Sequence, residues 1–361
     1  MLNQRTFVFL LLFATVVPFF IGALTVFDLI GVSWLISLIA FLALIHVPMT
    51  AYLFFDGEIR AQMARRKLMM IGGCVLLMVL SLVFFTAVTV EFEAQQTKII
   101  SCFVLAAVMW QHWHFGKQNI GVLALARIAT NSGPLMKFER YTMTAASICG
   151  IAAAYLVVGK ATQGVLWSFD AGQFRWLQYL IAAAALGCVM LNIARYTAGT
   201  GALYLLGVCF FLPQFLAVDL PQYVYIFGSS ILAHGTQYIL ILFYHSLGLV
   251  DLNRRVSGQR KMAQTLWLFA PLFFFALTFA IATNFYTSHS LWSFNDAVTQ
   301  ISAVAQIKIG PATISAIASG LIWGILLCHF WLDSFFWRLK ESGPRQWVKS
   351  RYAFLFAHDG K

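Results

Sequence analysis

Long apolar runs, separated by short basic or polar connections, dominate the chain. A bilayer core of ~30 Å takes ~20 helical residues at ~1.5 Å each. About ten stretches reach that length: residues 6–27, 33–55, 68–90, 99–126, 141–160, 176–195, 200–218, 222–249, 262–285 and 309–337. Backbone groups in lipid must be satisfied within their own segment, so the runs predict helices rather than open strands. The expected fold class is all-α, a polytopic transmembrane helix bundle. No soluble domain is set apart, and residues 1–361 read as a single integral membrane domain. The first run has neither a long basic leader nor a small-residue cleavage site, and is expected to remain as a helix.

Two shorter patterns sit outside these runs. FNDAVTQISAVAQIKIG, residues 294–310, alternates in a way that suits a surface-lying helix or an outer cap. RQWVKSRYAFLF, residues 345–356, is basic and aromatic, which fits an interfacial anchor. Gly320 and Gly324 have the small-residue spacing that lets membrane helices approach closely.

Composition agrees with this picture: 61% of residues are hydrophobic, 16% aromatic and only 10% charged, with a mean hydropathy of +0.80. These values exclude an ordinary soluble domain. The net charge of +11 raises the question of a nucleic-acid partner, and its distribution answers it. With a cytoplasmic N-terminus, nineteen Lys and Arg residues from Arg5 to Lys361 fall on one face, while the other holds only Lys98, Lys160, Arg175 and Lys308. Such asymmetry is a positive-inside signal. It predicts a multi-pass protein of a bacterial inner (plasma) membrane with both termini cytoplasmic. The basic residues then serve topology and anionic headgroups, and nucleic acid is not an expected partner. The cysteines, Cys74, Cys102, Cys149, Cys188, Cys209 and Cys328, all lie in apolar runs without a CxxC. They read as small buried hydrophobes, not a disulfide framework.

Against this apolar background the polar residues mark where chemistry is expected, because ionisable groups at membrane depth are costly. WQHWHFGKQN, residues 110–119, is the densest such stretch. Six histidines are intramembrane: His46, His112, His114, His234, His245 and His329. They occupy only the second, fourth, eighth and tenth runs, all oriented from outside to inside under the predicted topology. Most then fall within a slab of roughly 15 Å in the inner half of the membrane.

Helix geometry sorts them further. His112 and His114 are ~200° apart on a helix, so they should divide unless the helix breaks near Gly116. Gln111, His114, Lys117 and Gln118 share one face, and His112 lies with Gly116 and Asn119 on the other. His114 is therefore favoured as a ligand, with His112 either a second ligand or a hydrogen-bonding partner for a neighbouring helix. His234 sits with Gln237 and Tyr238, whereas His245 returns to a similar azimuth ~16 Å lower. His329 and Asp333 are spaced i, i+4, which suits a co-ligand or a carboxylate that fixes the imidazole tautomer. His46 precedes Pro48 and shares a face with Thr50. His289 and His358 are expected in solvent. The bland alternative for any one histidine is an interhelical hydrogen bond. Asp333 could likewise pair with Arg338, and Lys117 could extend toward the interface. The conjunction of imidazoles, carboxylate, lysine and amides argues for a functional site.

HWHFGKQNIG, HGTQY and HFWLDSFFWR together resemble a family of bacterial polytopic membrane proteins with intramembrane histidine motifs. In architecture the chain is also similar to Brp/Blh carotene-cleaving enzymes and to membrane desaturases and hydroxylases, although it lacks the clustered HxxxH and HxxHH boxes of the desaturases. That resemblance implies imidazole-held iron and a lipid substrate. The expected function is thus a membrane-embedded metalloenzyme of oxidoreductase type, using iron or zinc and acting on a lipid or other apolar small molecule. His46, His114, His234 and His329 would be ligands, and His112 or His245 substitutes. Asp333 would be a ligand or stand behind one, and Lys117 and Gln118 would bind a headgroup or stabilise a developing anion. Three alternatives stay open. One is a metal-free acyltransferase whose base is His329 with Asp333, or His114 with Asn119. The others are a proton-coupled transporter and a haem protein with ligands from different helices.

Overall fold

The computed structural model describes residues 4–31, 35, 38–39, 45–90, 96–161, 220–253, 264–266, 269–271, 273, 308–310, 312–337 and 341–356. Nearly all of them are helical. The chain runs through α1 (Gln4–Val26), α2 (His46–Met49) with a 3-10 turn (Thr50–Phe55), α3 (Gly57–Val90), α4 (Gln96–Ala129), α5 (Lys137–Ala161) and α6 (Leu220–Asn253). A two-residue hairpin, β1 (Lys308–Ile309) and β2 (Ala312–Thr313), leads into α7 (Ile314–Phe336), α8 (Ser342–Arg351) and α9 (Ala353–Phe356).

Among the described residues five helices are long and apolar enough to cross a membrane: Gln4–Val26, Leu68–Val88, Lys98–Ala129, Gln222–Gly248 and Ala316–Phe336. They coincide with five of the expected runs, and α5 covers a sixth, 141–160, as a helix. The expected spans 176–195 and 200–218, all of 274–307, and Cys188, Cys209, His289, Arg338 and His358 lie outside the described residues. The second run is described chiefly from Ile45 onward, and 262–285 only as short fragments.

Element boundaries follow local chemistry. Asp56 is fully buried and extended, and its Oδ1 accepts from the Glu58 amide at 2.8 Å, capping α3 ahead of its apolar run. α3 departs from helical geometry at Arg66, where its basic entrance gives way to that run. α7 begins where Thr313 Oγ1 accepts from the Ala316 amide at 3.2 Å. The hairpin before it turns at Gly310, whose φ of +62° is open to glycine at little cost.

The chain divides into two compact units. Unit 1 comprises Met1–Ile39, Ser101–Gly248 and Lys349–Lys361. In it α1 packs antiparallel on α6: Gly22 lies against Ser229, Thr236 Oγ1 donates to the Ala14 carbonyl at 2.8 Å, and Gln237 Nε2 donates to Thr15 Oγ1 at 2.6 Å. α4 lies parallel to α6, and α5 is tied to α4 by Ser147 and by a buried ion pair, Arg127 to Glu139 at 2.8 Å. Unit 2 comprises Ala40–Ile100 and Leu249–Val348. Its spine is the antiparallel pair α3 and α7, where a Cβ on Gly320 would lie 2.8 Å from Leu82 Cα and one on Gly324 3.2 Å from Met78 Cα. The expected close approach at these two glycines is therefore present. Leu68, Val75, Leu76, Val79 and Val83 of α3 turn outward, an apolar stripe suited to lipid.

The tail departs from expectation. Instead of offering its aromatics to an interface, it buries Trp347, Tyr352 and Leu355 almost completely. Tyr352 donates to the Ile241 carbonyl at 2.9 Å, Gly248 lies against the Arg351 carbonyl, and the Phe354 ring packs on Tyr244. A phenol hydroxyl that finds a buried carbonyl outweighs the interface as a resting place. The cysteines differ too: Cys74, Cys149 and Cys328 are only half-buried and Cys102 is exposed.

Candidate metal centre

In unit 2 the short α2 ends at Met49 and the chain continues as the 3-10 turn, with Pro48 inside α2. This winding brings His46 and Thr50 against α7, with Phe54 on Phe336 farther along, so α2 and its turn run parallel to α7. The His46 and His329 rings meet edge to face at 4.8 Å between centroids. Thr50 Oγ1 and His329 Nδ1 share a hydrogen bond of 2.6 Å. On the other side of the ring, His329 Nε2 is 3.6 Å from Asp333 Oδ2. All four residues are at most 6% exposed. A Zn or Fe ion with ligands at about 2.0–2.2 Å sets neighbouring ligand atoms roughly 3.3 Å apart, close to the observed His329 to Asp333 separation.

Unit 1 holds a second imidazole pair. α4 continues unbroken through Gly116, and His112 and His114 take different partners on α6. His114 meets His234 edge to face at 4.9 Å, and Phe115 lies over His234 at 4.4 Å. Gln118 Nε2 donates to the His234 carbonyl at 3.1 Å. His112 Nε2 instead shares a 2.8 Å hydrogen bond with Tyr223, and its ring rests near Phe227. His245 is fully buried beside Tyr352, centroids 6.2 Å apart. Lys117, though one turn from Trp113 on the face expected to hold His114, is exposed, with Nζ 4.2 Å above the indole ring. Asn119 bonds its own helix at the Phe115 carbonyl, 2.9 Å away.

Within unit 2, His329 thus meets both His46 and Asp333, and within unit 1, His114 and Gln118 both meet His234. Thr50 is the addition that spacing did not rank, although it shared a face with His46. Tyr223 is another, and its signal is general: a tyrosine inside an apolar helix needs an acceptor or donor for its hydroxyl.

The class these features define is an all-α chain with helices apolar enough to cross a membrane and buried histidine groups that could hold a metal ion. No protein-family model, characterised protein or solved structure matches the chain.

Proposed function

We propose that this is a membrane-embedded metalloenzyme of oxidoreductase type, with iron or zinc held by His46, His329 and Asp333. The observation that carries the proposal is buried His329 on α7, whose ring meets that of His46 on α2 and whose Nε2 lies 3.6 Å from Asp333 Oδ2. Two histidines and one carboxylate are a donor set suited to non-haem Fe(II) or Zn(II), and such a set leaves coordination positions for a substrate, water or oxygen. Bound there, the metal would supply Lewis acidity or a redox centre. Thr50 would hold the His329 ring in orientation by accepting from Nδ1–H, so that Nε2 presents its lone pair on the Asp333 side. The apolar surroundings favour a lipid or other apolar small molecule as substrate. The host would be a bacterial inner membrane, crossed about ten times with both termini in the cytoplasm. The parallel run of α2 with α7 and the antiparallel run of α3 with α7 support that alternation.

Elemental analysis and absorption spectroscopy of the detergent-purified protein test this reading. The wild type should carry about one ion per chain, lost from His46→Ala, His329→Ala and Asp333→Asn while circular dichroism stays unchanged. A metal-free wild type, or variants that retain the ion in full, would overturn it. His114→Ala/His234→Ala, measured in parallel, reports whether the second pair contributes.

One observation favours a metal-free reading. Thr50, His329 and Asp333 form a chain of hydroxyl, imidazole and carboxylate, the order of groups found when a carboxylate-backed histidine activates a hydroxyl. In that reading His329 is the base of an acyltransferase. The His114 and Asn119 version of the idea loses support, since Asn119 is engaged with its own helix.

A further inference from the structure

The packing of α3 on α7 aligns a second set of donor atoms, all of them sulfur. Successive turns pair Gly320 with Leu82 and Gly324 with Met78, so the next turn sets Cys328 opposite Cys74. Cys328 Sγ donates to the Cys74 carbonyl oxygen at 3.2 Å, which brings its sulfur onto the backbone of the residue that carries the second thiol. Met78, one turn from Cys74, rests its thioether on Gly324, where a Cβ would be 2.6 Å from Sδ. Both cysteines are free thiols and half-buried. The glycines that allow this approach fix the spacing of the two helices, so the thiols face one another by construction of the interface.

We propose that Cys74, Cys328 and Met78 form a binding site for a thiophilic monovalent cation, Cu(I) in biological terms. The site is separate from the histidine and carboxylate group and does not depend on it. Thiolate and thioether donors select Cu(I) over harder ions. Structural zinc takes four ligands, and this face of the interface supplies three sulfurs. Cu(I) is satisfied by two or three. Two thiolates on one Cu(I) leave a single negative charge, and the flexible methionine can swing toward the pair without moving either backbone. Each S–H bond replaced by an S–Cu bond releases its proton to solvent. Copper stays Cu(I), and no electron is transferred.

The test is an anaerobic titration of reduced, detergent-purified protein with Cu(I) against a chromophoric Cu(I) chelator, followed by copper X-ray absorption of the loaded sample. The expected result is a sulfur-dominated copper shell and a loss of affinity of more than about 100-fold in Cys74→Ser and in Cys328→Ser, beyond the roughly 10–100-fold typical of groups that only support a ligand. Met78→Leu should weaken binding less, and His46→Ala/His329→Ala should bind Cu(I) as the wild type does. A nitrogen- or oxygen-dominated shell, or wild-type affinity in Cys74→Ser/Cys328→Ser, would overturn the proposal. The spectrum uses unmutated protein, so a folding defect in a variant cannot decide the outcome.

Discussion

In a neutral imidazole one nitrogen donates and the other accepts, so whatever engages Nδ1 of His329 decides what Nε2 can do. If Nδ1–H donates to Thr50, Nε2 carries the lone pair on the side of Asp333, as metal binding requires. If the Thr50 hydroxyl donates instead, Nε2–H faces the carboxylate and Nδ1 is poised as a base. Substitution at Thr50 separates the two. Under the metal reading Thr50→Val should lower metal affinity by roughly 10–100-fold, and Thr50→Ser should restore it, because the hydroxyl matters only as a support. Unchanged metal affinity in Thr50→Val would show that the hydroxyl does not orient a ligand. His112 shows how far azimuth reaches on its own. Its separation from His114 was legible from residue spacing, whereas Tyr223 as its partner was not, because spacing along one helix says nothing about which residue stands opposite.

At the scale of elements, five of the apolar runs reappear as helices long and apolar enough to cross a membrane, since length and hydropathy are what a helix in lipid demands. Gly320 and Gly324 were also legible, because small residues have little reason to repeat on one face except close approach. The consequence is measurable. Gly324→Leu would drive its side chain into Met78, and overpacking of this kind costs about 1–3 kcal/mol, to be read as a lowered midpoint of denaturation in detergent. An unaltered midpoint would mean that the helices separate at little cost. The tail was misread for an equally physical reason. A basic, aromatic segment has the same composition whether its rings face headgroups or a protein groove, and only the position of acceptors such as the Ile241 carbonyl decides between them.

For the whole molecule, the charge asymmetry and the helix directions inside each unit make one joint prediction about topology. In unit 1, α1 opposes α6 while α4 runs with it, and in unit 2, α3 opposes α7. A fluorescent protein that matures only in the cytoplasm, fused after the tail, should therefore fluoresce, and an alkaline phosphatase fused there should stay inactive. The reverse pair of results would invert the orientation. The candidate site was legible at this scale only as a slab. Depth along runs expected to share one direction put the histidines in one slab on paper, but neighbourhood requires tertiary contacts that one sequence does not spell out.

Gln4 donates to the carbonyl of Leu355 across 351 residues of chain, at 3.2 Å. Phe7 meets Phe354 in the same place. The face of α1 that takes these contacts must therefore wait uncovered until Phe354 and Leu355 have been made. Unit 1 cannot close progressively as it is made. Its completion waits for the tail, and a nascent chain stalled short of Tyr352 would leave the surfaces of α1 and α6 that the tail covers open to chaperones and membrane proteases.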